Sequence, residues 1–266
     1  MKNLIAAIYT VCLLLLLSGC NQLEKIPFFH QGDNHAGEEI KEEPQEEIEP
    51  TKPTLQSHFF NEIKEVDGKS IIQNPLNILA LVNKHYALPG DYSPDDLTRP
   101  KVSFSFGELD IEKSWLRKEA AKHLELMFEA ATKENIELFA VSGYRSYDRQ
   151  TAVFDAKAYQ VGEAAAATVV AVPGFSEHQT GLAMDISSRS VDLELIEQFG
   201  DTMEGKWLAE NAHKFGFILR YPEGKESITG YQYEPWHFRY VGVYAASAIF
   251  ERQITLEEYF NIVEKI

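Results

Sequence analysis

The chain has 266 residues, 44% of them apolar and 25% charged, an ordinary globular balance that excludes wholesale disorder and fibrous repeats. Its formal net charge of −16 argues against a nucleic-acid partner, which calls for a basic footprint. Both cysteines, Cys12 and Cys20, fall in the first twenty residues, so any metal held further along must be held by His, Asp or Glu.

Residues 1–20 place Lys2 ahead of an apolar run and then small residues. The uninterrupted stretch from Val11 to Leu17 is short for a membrane span and suits a signal peptide. Leu17-Ser18-Gly19-Cys20 resembles a bacterial lipobox, which implies diacylation of Cys20 and loss of Cys12 with the signal. Residues 21–57 carry nine acidic against three basic side chains, a net −6, and four of the eleven prolines. Such a segment buries too little apolar surface to offset its ordering entropy, so a disordered tether is expected. It would reach roughly 35 Å as a coil and on the order of 120 Å when stretched.

The folded body is expected over 58–266, as one domain with about −11 of the charge. Asn77 to Leu88 has a helical cadence, and Pro89-Gly90 and Ser93-Pro94 punctuate the loop after it. Trp115 to Lys133 predicts an amphipathic helix, with Leu116, Ala120, Ala121, Leu124, Met127, Phe128 and Ala131 on one face. Ile136 to Ser142 reads as a strand stopped by Gly143, and Asp148 to Tyr159 as a second helix. Ala164 to Ala167 predicts a flexible flank, and Val169 to Phe175 a loop. Ala183 to Ser187 is a strand, and Met203 to Phe215 a helix ended by Gly216. Phe217 to Tyr221 and Trp236 to Val241 are strand-like, and Val243 to Arg252 is helical. Helices and short strands mix without βαβ alternation. The predicted class is therefore α+β, a small, mainly antiparallel sheet flanked by helices.

Three islands carry the chemistry. Ser142-Gly143-Tyr144-Arg145-Ser146 follows a strand, with Asp148, Arg149 and Gln150 close behind. An arginine there can clamp a carboxylate or polarise a carbonyl, and a surface salt bridge is the plainer alternative. Ser176-Glu177-His178 through Asp185 places an imidazole and a carboxylate seven residues apart, with Gly181 free to turn the chain between them. Both are good zinc ligands, although chance produces many such pairs. Glu234-Pro235-Trp236-His237 adds an acid and a second imidazole, and its proline rules out the helical His-Glu-x-x-His arrangement.

In this order the islands resemble the VanY-type D-alanyl-D-alanine carboxypeptidases. These belong to the LAS group of zinc peptidases, named after lysostaphin, D-Ala-D-Ala metallopeptidases and sonic hedgehog. Leu81 to Pro89 and Tyr92-Ser93-Pro94 also look like the opening of that domain, and the resemblance spans roughly residues 70–252. It implies a hedgehog-like fold with one Zn²⁺ per domain, matching His178, Asp185 and His237 to the ligands. It matches Glu234 to the catalytic base and Arg145 to the group stabilising the oxyanion, and it puts Gln150, Ser176, Tyr221 and Trp236 around the terminal D-alanine.

The implied activity is removal of the C-terminal D-alanine from peptidoglycan stem peptides, in cell-wall remodelling. Alternatives are an L,D-carboxypeptidase acting on tetrapeptide stems, an endopeptidase, or a non-catalytic wall-binding module. A base beside the metal argues against the last. The implied partners are the stem peptide and, through lipid on Cys20, the outer face of the bacterial cell membrane; a monomer is expected. His30, His35, His58, His85, His123 and His213 lie outside the motifs and are expected to be solvated or packed.

Overall fold

Four short apolar runs pair edge to edge: β1 (Phe139–Ser142), β2 (Ala183–Ser187), β3 (Phe217–Leu219) and β4 (His237–Tyr240). The structure is a computed structural model describing residues 52–266; the expected signal segment, Cys20 and the expected tether up to residue 51 lie outside the described residues. The sheet order is β1-β2-β4-β3, antiparallel throughout. This is the small antiparallel sheet that the residue pattern predicts.

Every residue of β2 and of β4 is buried, as befits the two central strands. Helix α1 (Lys118–Lys133) buries Ala120, Ala121, Leu124, Met127, Phe128 and Ala131 in the main core, the predicted face without Leu116, which lies in the short strand Leu116–Arg117 ahead of the helix. Full burial of Leu124 or Met127 stabilises the fold by about 2 kcal/mol each. Helix α2 (Tyr147–Val161) starts at Ser146, whose Oγ accepts the Arg149 N–H at 3.3 Å. Helix α4 (Met203–Asn211) continues into a 3-10 turn that Gly216 ends at φ +82°, and α5 (Val243–Arg252) matches its predicted span. No helix among the described residues is long and apolar enough to cross a membrane.

Several expectations are corrected. Asn77 to Leu88 forms turns and a two-residue strand, Tyr86–Ala87, rather than a helix. Its backbone groups are taken by side chains: Arg239 donates to the Ile78 and Ala80 carbonyls, and Asn61 both donates to and accepts from Leu81. A helix would need those groups for its own ladder. Ala164 to Ala167 belongs to a regular helix, α3 (Glu163–Val169), as the high helix propensity of alanine favours. The folded body also begins before residue 58, because Thr54–Leu55 pairs in parallel with Glu264–Lys265. Two further elements are not among the predicted ones: α6 (Leu256–Ile262), opened by a Thr255/Glu258 capping box, and a hairpin of Ile63–Val66 with Lys69–Ile72.

Candidate active site and metal centre

The sheet register builds the site. His237 lies directly opposite Asp185 across the β2–β4 ladder, so both side chains project from one face. A bulge between Ala140 and Ser142 brings Ser142 opposite Asp185 from the other side. His178 arrives on the 3-10 turn Glu177–Thr180, and Gly181, at φ +66°, reverses the chain into β2.

Each imidazole is fixed through both of its ring nitrogens. His178 donates from Nδ1 to the Gly143 carbonyl at 2.7 Å, which aims Nε2 at Asp185 Oδ2, 3.4 Å away. A Cβ on Gly143 would come within 2.5 Å of the Trp115 carbonyl, so only glycine fits at that bend. His237 points Nδ1 at Asp185 Oδ1, 3.0 Å away, and Nε2 at Glu177 Oε2, 3.3 Å away. One donor atom each from His178, Asp185 and His237 falls within 4.8 Å of the others. Bonds of 2.0–2.1 Å in a tetrahedral site put ligand atoms about 3.3 Å apart, so this two-nitrogen, one-oxygen set fits zinc with little adjustment. All three residues are at most 6% exposed.

Glu234 enters on the turn that precedes β4, its N–H donating to the Tyr221 carbonyl at 3.1 Å. Its Oε2 lies 3.9 Å from His237 Nδ1. Burial, helped by the Asp185 charge and opposed by His237 and Arg145, pushes its carboxyl up to about 7. A carboxyl poised there can take a proton and return it at neutral pH. Burial lowers His178 to about 3 despite the nearby Asp185 carboxylate, so its ring is neutral and free to ligate. Burial acts the same way on His237, but its hydrogen bonds to Asp185 and Glu177 prevail and raise it to about 9.

Arg145 is clamped from behind. Its Nη1 donates to Gln150 Oε1 at 3.0 Å and its Nη2 to Ser142 Oγ at 3.2 Å, while Gln150 Nε2 donates to the Ala171 carbonyl at 2.6 Å. Ser176, Tyr221 and Trp236 line the same cavity of about 280 Å³ as Arg145, Glu234 and the three metal-ligand candidates. Gln150 does not: it is fully buried behind Arg145 and orients that side chain instead of forming the cavity wall. Among the described residues no other His, Asp or Glu group gathers in this way. His213 stacks flat on Phe250 at 3.7 Å, and His123 packs 5.1 Å from Tyr240.

Glu177, Arg220, Arg239 and Glu257 form a buried ion network that the motifs do not announce. Glu177 Oε1 accepts from Arg220 Nε at 2.8 Å and from Arg239 Nη1 at 2.7 Å, and Arg220 also grips Glu257 of α6 at 2.6 and 2.9 Å. Burial alone would raise the Glu177 carboxyl, but the two guanidiniums outweigh it and hold the group well below the usual carboxylate range. An arginine inside the otherwise apolar run His237-Phe238-Arg239-Tyr240 was the available signal, since charges so placed are buried only when paired.

The family model described as VanY, D-alanyl-D-alanine carboxypeptidase, matches residues 113–243. The chain is 62% identical to the YodJ protein of Bacillus subtilis (strain 168) over 80% of its own length and 78% of that protein. A solved structure of the LdcB LD-carboxypeptidase superposes with a TM-score of 0.78 at 62% identity, over 80% of this chain and 99% of that one. The vancomycin resistance D,D-pentapeptidase VanY of a VanB-type cassette, solved with Zn(II), gives a TM-score of 0.56 at 36% identity, over 69% and 98%.

Proposed function

The chain belongs to the VanY family of carboxypeptidases, and on that premise we propose that it is a zinc enzyme removing the terminal D-alanine from peptidoglycan stem peptides. The observation that carries this reading is a base and a metal-donor set sharing one cavity: Glu234 faces His178, Asp185 and His237. A wall-binding module would have no use for a buried carboxyl tuned to accept a proton.

In this reading His178, Asp185 and His237 hold the zinc, which supplies Lewis acidity when bound, acidifying water and drawing charge from the scissile carbonyl. Glu234 removes a proton from the attacking water as the C–O bond forms. It delivers that proton to the departing amine as the C–N bond breaks, so one water is consumed per alanine released. Arg145 donates to the oxygen on which negative charge develops, and Gln150 with Ser142 keeps its guanidinium aimed.

The preferred substrate is the tetrapeptide stem, cleaved between an L-centre and D-alanine. The support is the likeness to the LdcB LD-carboxypeptidase, at 62% identity against 36% for the D,D-pentapeptidase. D,D-cleavage of a pentapeptide is the second reading, favoured by the family description. Incubating zinc-loaded protein with tetrapeptide and pentapeptide stems, with Glu234→Gln as control, and weighing the products decides it. Loss of alanine from the tetrapeptide supports the L,D reading; loss from the pentapeptide alone replaces it with D,D. Silence on both with zinc bound removes the carboxypeptidase proposal and promotes cross-link cleavage or wall binding.

The proposed setting is the outer face of the cell membrane, with lipid on Cys20 and the acidic tether setting the reach into the wall. Labelled palmitate should enter the full chain and not Cys20→Ala.

A further inference from the structure

A second cleft, of about 430 Å³, adjoins the catalytic cavity and shares Arg145 and Val153 with it. It adds Lys113, Arg149 and Glu112 to the wall, so three cations face a single carboxylate in a chain of net charge −16. That carboxylate is already engaged, Glu112 Oε1 accepting the Ser146 N–H at 2.6 Å. Among the described residues none of Lys113, Arg145 and Arg149 forms an ion pair, whereas Arg117, Arg220 and Arg239 all do. Burial, then repulsion from Arg149 and Arg145, lowers the Lys113 pKa, which agrees with cations massed against one another. Lys113 sits 4.3 Å from the centre of the Phe106 ring, which fixes its position. The first turn of α2, where Arg149 lies, adds its own positive potential. Such an arrangement costs free energy in the empty protein and is relieved when an anion enters.

We propose that this cleft binds a second carboxylate of the stem peptide, distinct from the terminal one, with Lys113 and Arg149 as its partners. The inference rests on the carboxypeptidase reading, under which the peptide that meets Arg145 continues past it. Stem peptides carry such a group on isoglutamate and, where the third residue is diaminopimelate, on that side chain.

The test uses three tetrapeptides: both carboxylates free, isoglutamate amidated, and diaminopimelate amidated. Against wild-type protein, amidation of the group that occupies the cleft should lower kcat/KM about fivefold, mainly through KM. In Arg149→Ala and Lys113→Ala that ratio between free and amidated peptide should fall toward one. Arg149 is exposed, so its truncation spares the fold. Which amide matters identifies the source of the carboxylate. Calorimetric Kd values for the same peptides on Glu234→Gln protein separate this inference from the reading beneath it. A charge-dependent Kd that Arg149→Ala abolishes supports the cleft even if no peptide is cut. A Kd and a kcat/KM indifferent to amidation at both positions, or amidation effects unchanged in the two variants, overturn it.

Discussion

The Nε2 of His237 stands 3.3 Å from Oε2 of Glu177, on the opposite side of the ring from the Nδ1 that faces Asp185. The other oxygen of Glu177 is locked between Arg220 and Arg239, and Arg220 in turn holds Glu257 of α6. The orientation of one candidate ligand is therefore set by a buried ion network anchored in the C-terminal helix. A carboxylate behind a ligating imidazole fixes its tautomer and strengthens it as a donor.

Glu177→Gln removes that charge while keeping the shape. It should weaken zinc binding about 10- to 100-fold, read by chelator competition. It also leaves two buried guanidiniums with one carboxylate partner, a loss on the order of 3 kcal/mol in a urea melt. If zinc affinity is unmoved while stability falls, Glu177 serves the fold alone.

Glu234→Gln should lower kcat by about 10²- to 10⁴-fold with zinc content unchanged. In the wild type, activity should rise with pH as Glu234 loses its proton. The metal-free value is about 7, and a bound dication draws it lower, so the acid limb should lie below pH 7. A limb that persists in Glu234→Gln would assign it to another group.

Metal binding should release protons. Without metal, His237 holds its proton to about pH 9, and a ligating imidazole must give it up. Zinc binding near pH 8 should therefore release about one proton from this ring, measured by calorimetry in buffers of different ionisation enthalpy. The same shift acts on the metal-free fold. A histidine with a raised folded pKa lends its full stability below about 6.5 and loses it as pH climbs to about 9. Metal-free protein should lose melting temperature across that window; zinc-loaded protein should lose far less.

Arg145→Ala should cost about 10²- to 10³-fold in kcat if the guanidinium meets the developing oxyanion. Gln150→Ala should cost about tenfold, with KM barely altered, since it frees Arg145 without touching the cavity wall. Equal losses in KM for both would place Arg145 on the ground-state carboxylate instead.

Much of this molecule is legible along the chain, because short-range chemistry writes it there. The apolar period of α1, the capping glycine after α4 and the β2 and α5 spans all follow from residues close in sequence. The motif residues His178, Asp185, Glu234 and His237 stand out because few other residue types do metal and proton chemistry. What the sequence could not rank was their company. Asn77 to Leu88 has a helical cadence and yet turns, because Arg239, some 160 positions away, takes the carbonyls a helix would use. Gln150 reads as pocket wall and lies behind it, because α2 packs it against Arg145 and Ala171. Glu177 sits inside a recognised motif with no assigned part until Arg220, Arg239 and His237 converge on it from distant strands and turns. Residue type and local period determine which side chains can act. Only the tertiary fold decides which of them meet, because hydrogen bonds and ion pairs form across space, in water-poor surroundings that the order of residues does not describe.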